Sequence, residues 1–180
     1  MKNMNISSDI TESIISRERL GFDSPGDIEF FLISGEIVNR EFFKWLYRDN
    51  LMLVKALEDT LIKEAFNKNI RCIVAYKTVN SSRYLIGFVL LALDVNNTYD
   101  KTANIVMINV LEEFKRVNIG SNLIHLAEYL AKVTYKKDCM YLNTYIDFEG
   151  IEDFYTRLGY IKIQENKETY EATFKKLLTE

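Results

Sequence analysis

The chain has 180 residues, of which 48% are hydrophobic and 27% charged, so it is long enough for one globular domain with a hydrophobic core. No apolar run reaches the roughly 18 residues that a membrane span needs, and the N-terminus lacks the apolar stretch of a secretory signal. The formal net charge is −3 without a long run of Lys or Arg, which disfavours broad nucleic-acid binding. We therefore expect a cytoplasmic protein that binds neither membrane nor nucleic acid.

Two cysteines and a single histidine limit the chemistry further. Cys72 and Cys139 each lie in a strand-like apolar run and are expected to be reduced, buried thiols. These residues are too few for a typical structural zinc site, so no metal is expected. His125 falls on the polar face of a predicted helix, where a solvated side chain is a simpler interpretation than a catalytic one.

The first third of the chain predicts an N-terminal extension, one strand and two helices. Residues 1–27 are polar, with a capping-box pattern at 9–12 that can start a short helix and a turn at 23–26. A strand is predicted at 28–33 from its aromatic and branched residues. Across residues 39–69 apolar side chains recur at spacings of three and four, which predicts two amphipathic helices.

The rest of the chain alternates between strand and helix patterns. Three strands joined by turn residues predict an antiparallel meander, and a helix, a strand, a short helix and two closing strands follow. The predicted strands are 71–78, 84–94, 103–111, 139–146, 160–164 and 169–174, and the predicted helices are 120–136 and 150–158. This order predicts a mixed sheet with helices on its faces.

Residues 108–124 are the most informative stretch. A predicted buried strand ends near Val110, and a loop carrying Lys115 and Arg116 leads into an amphipathic helix at Gly120. A helix N-terminus has unpaired N–H groups and the positive end of the helix dipole, so it binds phosphate oxygens. The stretch therefore predicts an anion-binding turn, with an ordinary strand–helix connection as the alternative.

This stretch resembles the coenzyme A-binding motif of the GNAT superfamily of N-acetyltransferases. In that motif a strand valine and an acidic residue precede R/Q-x-x-G-x-G/A at the start of a helix. Val110, Glu113 and Gly120 match the valine, the acidic residue and the final glycine. Lys115 replaces Arg or Gln and keeps the positive charge. Asn118 replaces the first glycine, and because Asn tolerates the left-handed backbone we expect it to hold a similar turn.

Residues 151–160 resemble a second signature of the same family, A-x-x-F-Y-x-x-x-G-F. Phe154 and Tyr155 match directly. Gly159 also matches and is expected to end a short helix in the left-handed conformation, while Tyr160 replaces Phe. Alone, this stretch is better explained as an apolar helix stripe, but the helix and strand between the two stretches reproduce the family's spacing.

The resemblance implies a GNAT-like α+β fold, in which a mixed, mostly antiparallel sheet of about seven strands is flanked by about four helices. The resemblance covers about residues 28–175, and we predict a single domain at residues 28–180. It further implies an N-acetyltransferase that uses acetyl-CoA as cosubstrate and a primary amine, in a small molecule or a peptide, as acceptor. We expect a monomer or a homodimer.

The resemblance also implies roles for individual residues. Tyr155 would protonate the departing thiolate, which suits a phenol of pKa about 10 beside a thiol of pKa near 8.5. The strand backbone at Asn109, Val110 and Leu111 would stabilise the oxyanion, because the neighbouring strand splays away there.

Coenzyme A binding and the acceptor side complete the predicted site. The residues expected to bind coenzyme A, besides those three strand residues, are Lys115, Arg116, Val117, Asn118, Ile119, Gly120 and Ser121. Asn143 and Tyr145, on the strand opposite, would line the acceptor side. No residue is assigned as the general base.

Two other interpretations stay open at this point. The first is a non-catalytic sensor or interaction module with the same fold, which would bind acyl-CoA without transferring the acyl group. The second is an unrelated α+β domain with an accidental motif. Thermal stabilisation by acetyl-CoA and release of free thiol in the presence of amines distinguish the three.

Overall fold

The computed structural model describes residues 17–19, 27–34, 70–80, 82–93, 100–147 and 149–178. Within them lie eight strands and two α-helices. The strands are β1 (Arg17–Arg19), β2 (Ile28–Ser34), β3 (Ile70–Val79), β4 (Ser82–Leu93), β5 (Thr102–Val110), β6 (Cys139–Tyr145), β7 (Ile161–Asn166) and β8 (Glu171–Leu177). The helical elements are α1 (Ile119–Tyr129), its π-helical continuation Leu130–Thr134, α2 (Ile151–Arg157) and a 3₁₀ turn at Glu112–Phe114.

All eight strands belong to one sheet, in the order β1-β2-β3-β4-β5-β6-β8-β7. Neighbouring strands are antiparallel except β5 and β6, which pair in parallel and are connected by α1 as a crossover. The predicted mixed, mostly antiparallel sheet is therefore confirmed. The sheet contains one strand that is not predicted, Arg17–Arg19, which pairs with β2 although it lies in the predicted N-terminal extension. Three charged residues carry no apolar alternation, so the sequence gives no strand signal there.

The other predicted strands and the two predicted helices in the described residues are confirmed to within a few residues at their ends. The capping box at 9–12, the turn at 23–26 and the helices within 39–69 lie outside the described residues. The count of about four flanking helices therefore stays a prediction. The buried free thiols Cys72 and Cys139 are confirmed, and His125 is exposed as expected.

A gap opens between β5 and β6. Their parallel register ends at Ile105 opposite Leu142, whereas β5 stays paired with β4 to its end. Val106 is an extra residue in the β4–β5 register, and such a bulge bends the strand that carries it. Residues 106–110 of β5 therefore diverge from residues 143–145 of β6, and we call the space between these two segments the strand gap.

Both helices pack on the same face of the sheet. Phe174 of β8 contacts the Tyr155 ring of α2, with the ring centroids 5.6 Å apart. Lys176, two residues further on β8 and hence on the same face, bonds Glu128 of α1. The buried residues of α1 follow the predicted spacing of three and four: Ile119, Leu123, Ile124, Leu126 and Ala127.

Gly87 of β4 lies where α1 and the end of β5 approach β4 most closely. A Cβ atom at this position would be 3.0 Å from the Asn109 carbonyl oxygen, 3.2 Å from Val110 Cγ2 and 3.3 Å from Leu123 Cδ1. These distances are shorter than ordinary van der Waals contacts. Glycine therefore allows the helix and the strand end to pack this tightly against β4.

Two further observations concern membrane-spanning helices and metal-binding groups. No helix in the described ranges is long and apolar enough to cross a membrane. Among the side chains that the structure describes, no three His, Cys, Asp or Glu residues form a group that could hold a metal ion.

Candidate active site

The connection from β5 to α1 passes twice through the left-handed backbone conformation. Arg116 has a φ of 64° and Asn118 a φ of 65°. The prediction that Asn118 holds a left-handed turn is confirmed. Arg116 adopts the same conformation without the side chain that eases it in Asn, and strain of this kind clusters at ligand-binding sites.

The first turn of α1 presents free backbone donors. Asn118 is the N-cap residue, and its side chain does not cap the helix. The first helical hydrogen bond runs from the Asn122 N–H to the Asn118 carbonyl at 2.9 Å. The N–H groups of Ile119, Gly120 and Ser121 precede that bond and have no backbone acceptor among the described residues. Together with the positive end of the helix dipole, they can bind an anion.

Two cationic side chains lie beside this turn, and they differ in whether a carboxylate among the described residues is paired with them. The Lys115 ammonium is paired with the Glu112 carboxylate, and the Lys115 side chain is half exposed. Arg116 is exposed and has no ion-pair partner in the described part of the chain. Val117, between Arg116 and Asn118, is also exposed. The positive charge that an anionic ligand would meet uncompensated is therefore that of Arg116.

The hydrogen bonds between β4 and β5 determine which amides face the strand gap. The Leu111 N–H donates to the Ile86 carbonyl of β4 at 2.9 Å. In an antiparallel ladder alternate residues bond to the neighbour, so Asn109 also faces β4. The Val110 N–H lies between these two positions and points away from β4, toward the strand gap. Of the three predicted oxyanion residues, Val110 is the one whose amide is directed there.

The helix α2 ends in a motif that links Tyr155 to Tyr160. Gly159 has a φ of 87°, which confirms its predicted left-handed conformation. The Tyr160 N–H donates to the Tyr155 carbonyl at 3.1 Å, and the Gly159 N–H donates to the Thr156 carbonyl at 2.9 Å. This double closure is a Schellman motif, in which the residue after the glycine often packs on the last helical turn.

Tyr155 is packed among aromatic rings. It is 4% exposed, and its ring lies edge-on to those of Phe154 at 5.1 Å and Tyr160 at 6.0 Å. Its hydroxyl has no hydrogen-bond partner in the described ranges. Burial raises the pKa of Tyr155 to about 12, so the phenol keeps its proton at neutral pH.

The two sequence stretches meet at Gly120. A Cβ atom there would lie 3.5 Å from Phe154 Cζ and 3.8 Å from Val110 Cγ2. The space beside Gly120 at the N-terminus of α1 is therefore bordered both by the end of β5, beside the strand gap, and by the phenylalanine that precedes Tyr155. The structure thus brings together residues that are up to 45 positions apart in the sequence.

Asn143 and Tyr145 border the strand gap from the other side. Both are exposed and alternate with Leu142, which is buried beneath the helices. Their side chains therefore project from the sheet face opposite to α1 and α2. The Tyr145 phenol donates to the Glu171 carboxylate, and this hydrogen bond raises the pKa of Tyr145. Tyr155 lies on the helical face, so the two sets of residues can meet only through the gap.

Sequence reasoning missed two charged residues beneath α2. Lys176 Nζ lies 2.7 Å from Glu128 Oε2, and both side chains are largely buried. A signal for both was present in the sequence. Glu128 comes four residues after the buried Ile124 on a helix, and Lys176 comes two residues after the buried Phe174 on a strand. A charge at a core position of an element indicates that it is paired, although the sequence does not identify the partner.

Raised pKa values predict a loss of stability at alkaline pH. Burial raises the pKa of the Tyr155 and Tyr160 phenols above 10.0 and that of the Cys72 thiol above 9.0. Above these pH values the unfolded chain binds fewer protons than the folded chain, so stability is complete below about pH 9 and falls as pH rises. For Tyr155 alone the loss is about 1.4 kcal/mol at pH 11.

Urea denaturation at pH 8 and pH 11 measures this loss as a change in the free energy of unfolding. Tyr155→Phe should reduce the loss by the contribution of one phenol. Tyr129→Phe is the matched control, because Tyr129 is 59% exposed and is solvated before and after unfolding. An equal loss in the two variants would contradict the assignment to Tyr155.

Comparisons with known proteins identify the family and the fold. Residues 39–160 match the model of the acetyltransferase (GNAT) family. No curated protein matches the chain by sequence. Several solved structures share the fold, at sequence identities of 20% or less in the three described next.

The first is the spermidine/spermine N-acetyltransferase SpeG from Vibrio cholerae, with a TM-score of 0.60 and 15% identity over 84% of this chain and 93% of that one. The second is the PaiA N-acetyltransferase from Thermoplasma acidophilum in complex with coenzyme A, with a TM-score of 0.59 and 20% identity over 84% and 99% of the two chains. The third is Ard1 from Thermoplasma volcanium, with a TM-score of 0.59 and 18% identity over the same shares.

Proposed function

The chain belongs to the acetyltransferase (GNAT) family of enzymes, and from this premise we propose that it transfers an acetyl group from acetyl-CoA to a primary amine. One observation carries the proposal. A Cβ atom on Gly120, at the N-terminus of α1, would lie within van der Waals distance of both Val110, beside the strand gap, and Phe154, which precedes Tyr155. We infer that a phosphate-binding turn, a strand amide and a protonated phenol form one site there.

The chemistry of the donors suits the pyrophosphate of coenzyme A. The N–H groups of Ile119, Gly120 and Ser121 would hold the phosphate oxygens, as helix N-termini do. Arg116 would add a charge that no described carboxylate compensates, and Lys115 would contribute after release from Glu112. The similar fold of the Thermoplasma acidophilum enzyme, solved in complex with coenzyme A, supports this assignment.

Residues of β5 and α2 would act on the reacting thioester. Acetyl-CoA supplies the acyl carbonyl that the amine nitrogen attacks. The Val110 N–H would stabilise the oxyanion that develops as the new C–N bond forms. As the C–S bond breaks, the Tyr155 hydroxyl would donate its proton to the thiolate, because a phenol of pKa about 12 is still protonated at neutral pH. The amine nitrogen would release one proton to solvent as the amide forms, and the Tyr155 phenolate would take one back from solvent.

The acceptor would enter from the face of the sheet opposite to the helices. Asn143 and Tyr145 border the strand gap there, and the carboxylate of Glu171 holds the Tyr145 phenol. A free amine could reach the thioester carbonyl through the gap without passing the buried helical face. The acceptor class is a primary amine, which agrees with the amines named for the Vibrio cholerae enzyme of similar fold.

Two measurements on the wild-type protein test the proposal. Acetyl-CoA at about 100 times its Kd should stabilise the fold by roughly 2.7 kcal/mol, seen as a rise in Tm. A panel of small amines, polyamines and peptides should then contain at least one that causes release of free thiol. Reactions without an acceptor and reactions without protein are the controls.

The outcomes separate the competing functions. Stabilisation together with amine-dependent thiol release supports the transferase. Stabilisation without thiol release for any amine would favour an acyl-CoA sensor with the same fold. No stabilisation by acetyl-CoA or by coenzyme A would contradict the cofactor assignment.

A further inference from the structure

A cluster of polar groups lies beneath α2. Glu128 of α1 accepts a hydrogen bond from Lys176 of β8 at 2.7 Å, and Lys176 Nζ lies 5.6 Å from the centre of the Tyr160 ring. Tyr160 is 1% exposed, and the side chains of Glu128 and Lys176 are 12% and 22% exposed. We call these three residues the buried triad.

One oxygen of the triad lacks a partner. Glu128 Oε1 is buried and accepts no hydrogen bond from the described residues. The Tyr160 hydroxyl donates to Met140 Sδ at 3.1 Å, although a thioether is a weak acceptor compared with a carboxylate. Burial raises the pKa of Tyr160, and the nearby charge of Glu128 raises it further. The Tyr160 side chain is therefore held by its hydrogen bond to Met140 and by the Lys176 ammonium over its ring.

Tyr160 contacts Tyr155 through its backbone and through its ring. Its N–H closes the end of α2 on the Tyr155 carbonyl at 3.1 Å. Its ring packs edge-on against the Tyr155 ring at 6.0 Å, with an angle of 71° between the planes. A displacement of the Tyr160 ring therefore changes both the last turn of α2 and the packing surface of Tyr155.

We propose that Glu128, Lys176 and Tyr160 are positioning residues, which hold the Tyr155 hydroxyl in the orientation that proton donation requires. This inference rests on the proposed function, because it takes Tyr155 as the general acid. A buried ion pair adds little net stability once desolvation is counted, but it favours one geometry of the groups around it. The Tyr160 ring connects that pair to the aromatic packing of Tyr155, because Lys176 Nζ lies over its face. The Tyr160 hydroxyl, absent from the phenylalanine that the family signature has at this position, fixes that ring on Met140 Sδ.

Tyr160→Phe is the central variant because it removes one oxygen and keeps the ring. We expect kcat to fall about tenfold, as small misplacements of catalytic groups do, while KM for acetyl-CoA stays within about twofold. Glu128→Gln should act in the same direction, because it keeps the shape of the side chain and removes the charge. Tyr135→Phe is the matched control, since the Tyr135 hydroxyl accepts a hydrogen bond from Arg71 at 2.6 Å beyond the far end of α1.

A double-mutant cycle with Tyr155→Phe separates positioning from general destabilisation. If the triad acts through the Tyr155 hydroxyl, Tyr160→Phe and Glu128→Gln have no further effect on kcat in the Tyr155→Phe background. An equal reduction in both backgrounds, or no reduction in either, would overturn the inference while the acid role of Tyr155 stands. An unchanged kcat in Tyr155→Phe alone would remove the acid assignment itself, and the positioning role with it.

Discussion

Replacing Tyr155 with Phe is expected to lower kcat by about 10²- to 10⁴-fold, the range that a positioned general acid contributes. The KM for acetyl-CoA should change by no more than about twofold, because the ring has no part in holding the phosphates. The substitution removes a single hydroxyl and keeps the ring packed against Phe154, Tyr160 and Phe174.

Stability is not expected to account for this loss of turnover. The Tyr155 hydroxyl has no hydrogen-bond partner in the described part of the chain, so its removal leaves no protein group unsatisfied there. The free energy of unfolding at pH 7 should therefore stay close to the wild-type value. Tyr129→Phe is again the control, because it removes an exposed phenol from the outer surface of α1.

Steady-state kinetics at saturating amine, with thiol release as the readout, gives the comparison. A parallel fall in kcat and kcat/KM indicates an interaction made only in the transition state. A variant that turns over at the wild-type rate would exclude Tyr155 as the acid. A variant with normal kcat and a large rise in KM would indicate a binding role instead.

Much of the sheet could be predicted from the sequence, because its strands show either apolar–polar alternation or continuous apolar runs, and clear turn residues separate them. β3 and β4 are nearly continuous apolar runs, and they form the buried centre of the sheet. Arg17–Arg19 could not be predicted, because the pairing of three charged residues depends on the edge that β2 offers. The π-helical turn at Leu130–Thr134 could not be predicted either, because its apolar residues continue the pattern of α1.

Some features of the candidate site could likewise be predicted from the sequence, and others could not. The left-handed conformation of Asn118 follows from residue type and motif, so it could be predicted locally. The strand gap was expected from the family resemblance, but the residues of β5 alone do not predict it, because it depends on the extra residue Val106, a β-branched residue that fits an unbroken strand equally well. The pairing of Glu128 with Lys176 joins elements 48 positions apart, and only the packed structure brings them together.

The strand gap also explains why a single amide is the candidate oxyanion donor. Pairing with β4 uses the N–H of Leu111, and alternation directs the neighbouring Val110 N–H to the side where β6 has diverged. In an unbroken parallel pair that amide would bond to β6. The bulge and the early end of the β5–β6 register thus leave a backbone donor unpaired at the site where a negative charge would develop.

Gly120→Glu is expected to weaken the binding of coenzyme A by at least about 100-fold, because it places a carboxylate among the amides that would hold the pyrophosphate. Folding should survive the change. The Cβ atom would stand 3.5 Å from Phe154 and 3.8 Å from Val110, which are ordinary contacts. A carboxylate in the first turn of a helix also interacts favourably with the helix dipole.

Two matched variants separate the bulk of the new side chain from its charge. Gly120→Ala adds only the Cβ atom and should bind coenzyme A within about threefold of the wild type, since that atom fits the space beside Phe154. Gly120→Gln has the size of Glu without its charge and should fall between the two, at about tenfold weaker binding. Calorimetric titration with coenzyme A at two salt concentrations gives the affinities, and the difference between Gln and Glu should shrink at the higher salt. Wild-type affinity in Gly120→Glu would place the phosphates elsewhere, whereas equal losses in Gln and Glu would assign the effect to bulk and not to repulsion between like charges.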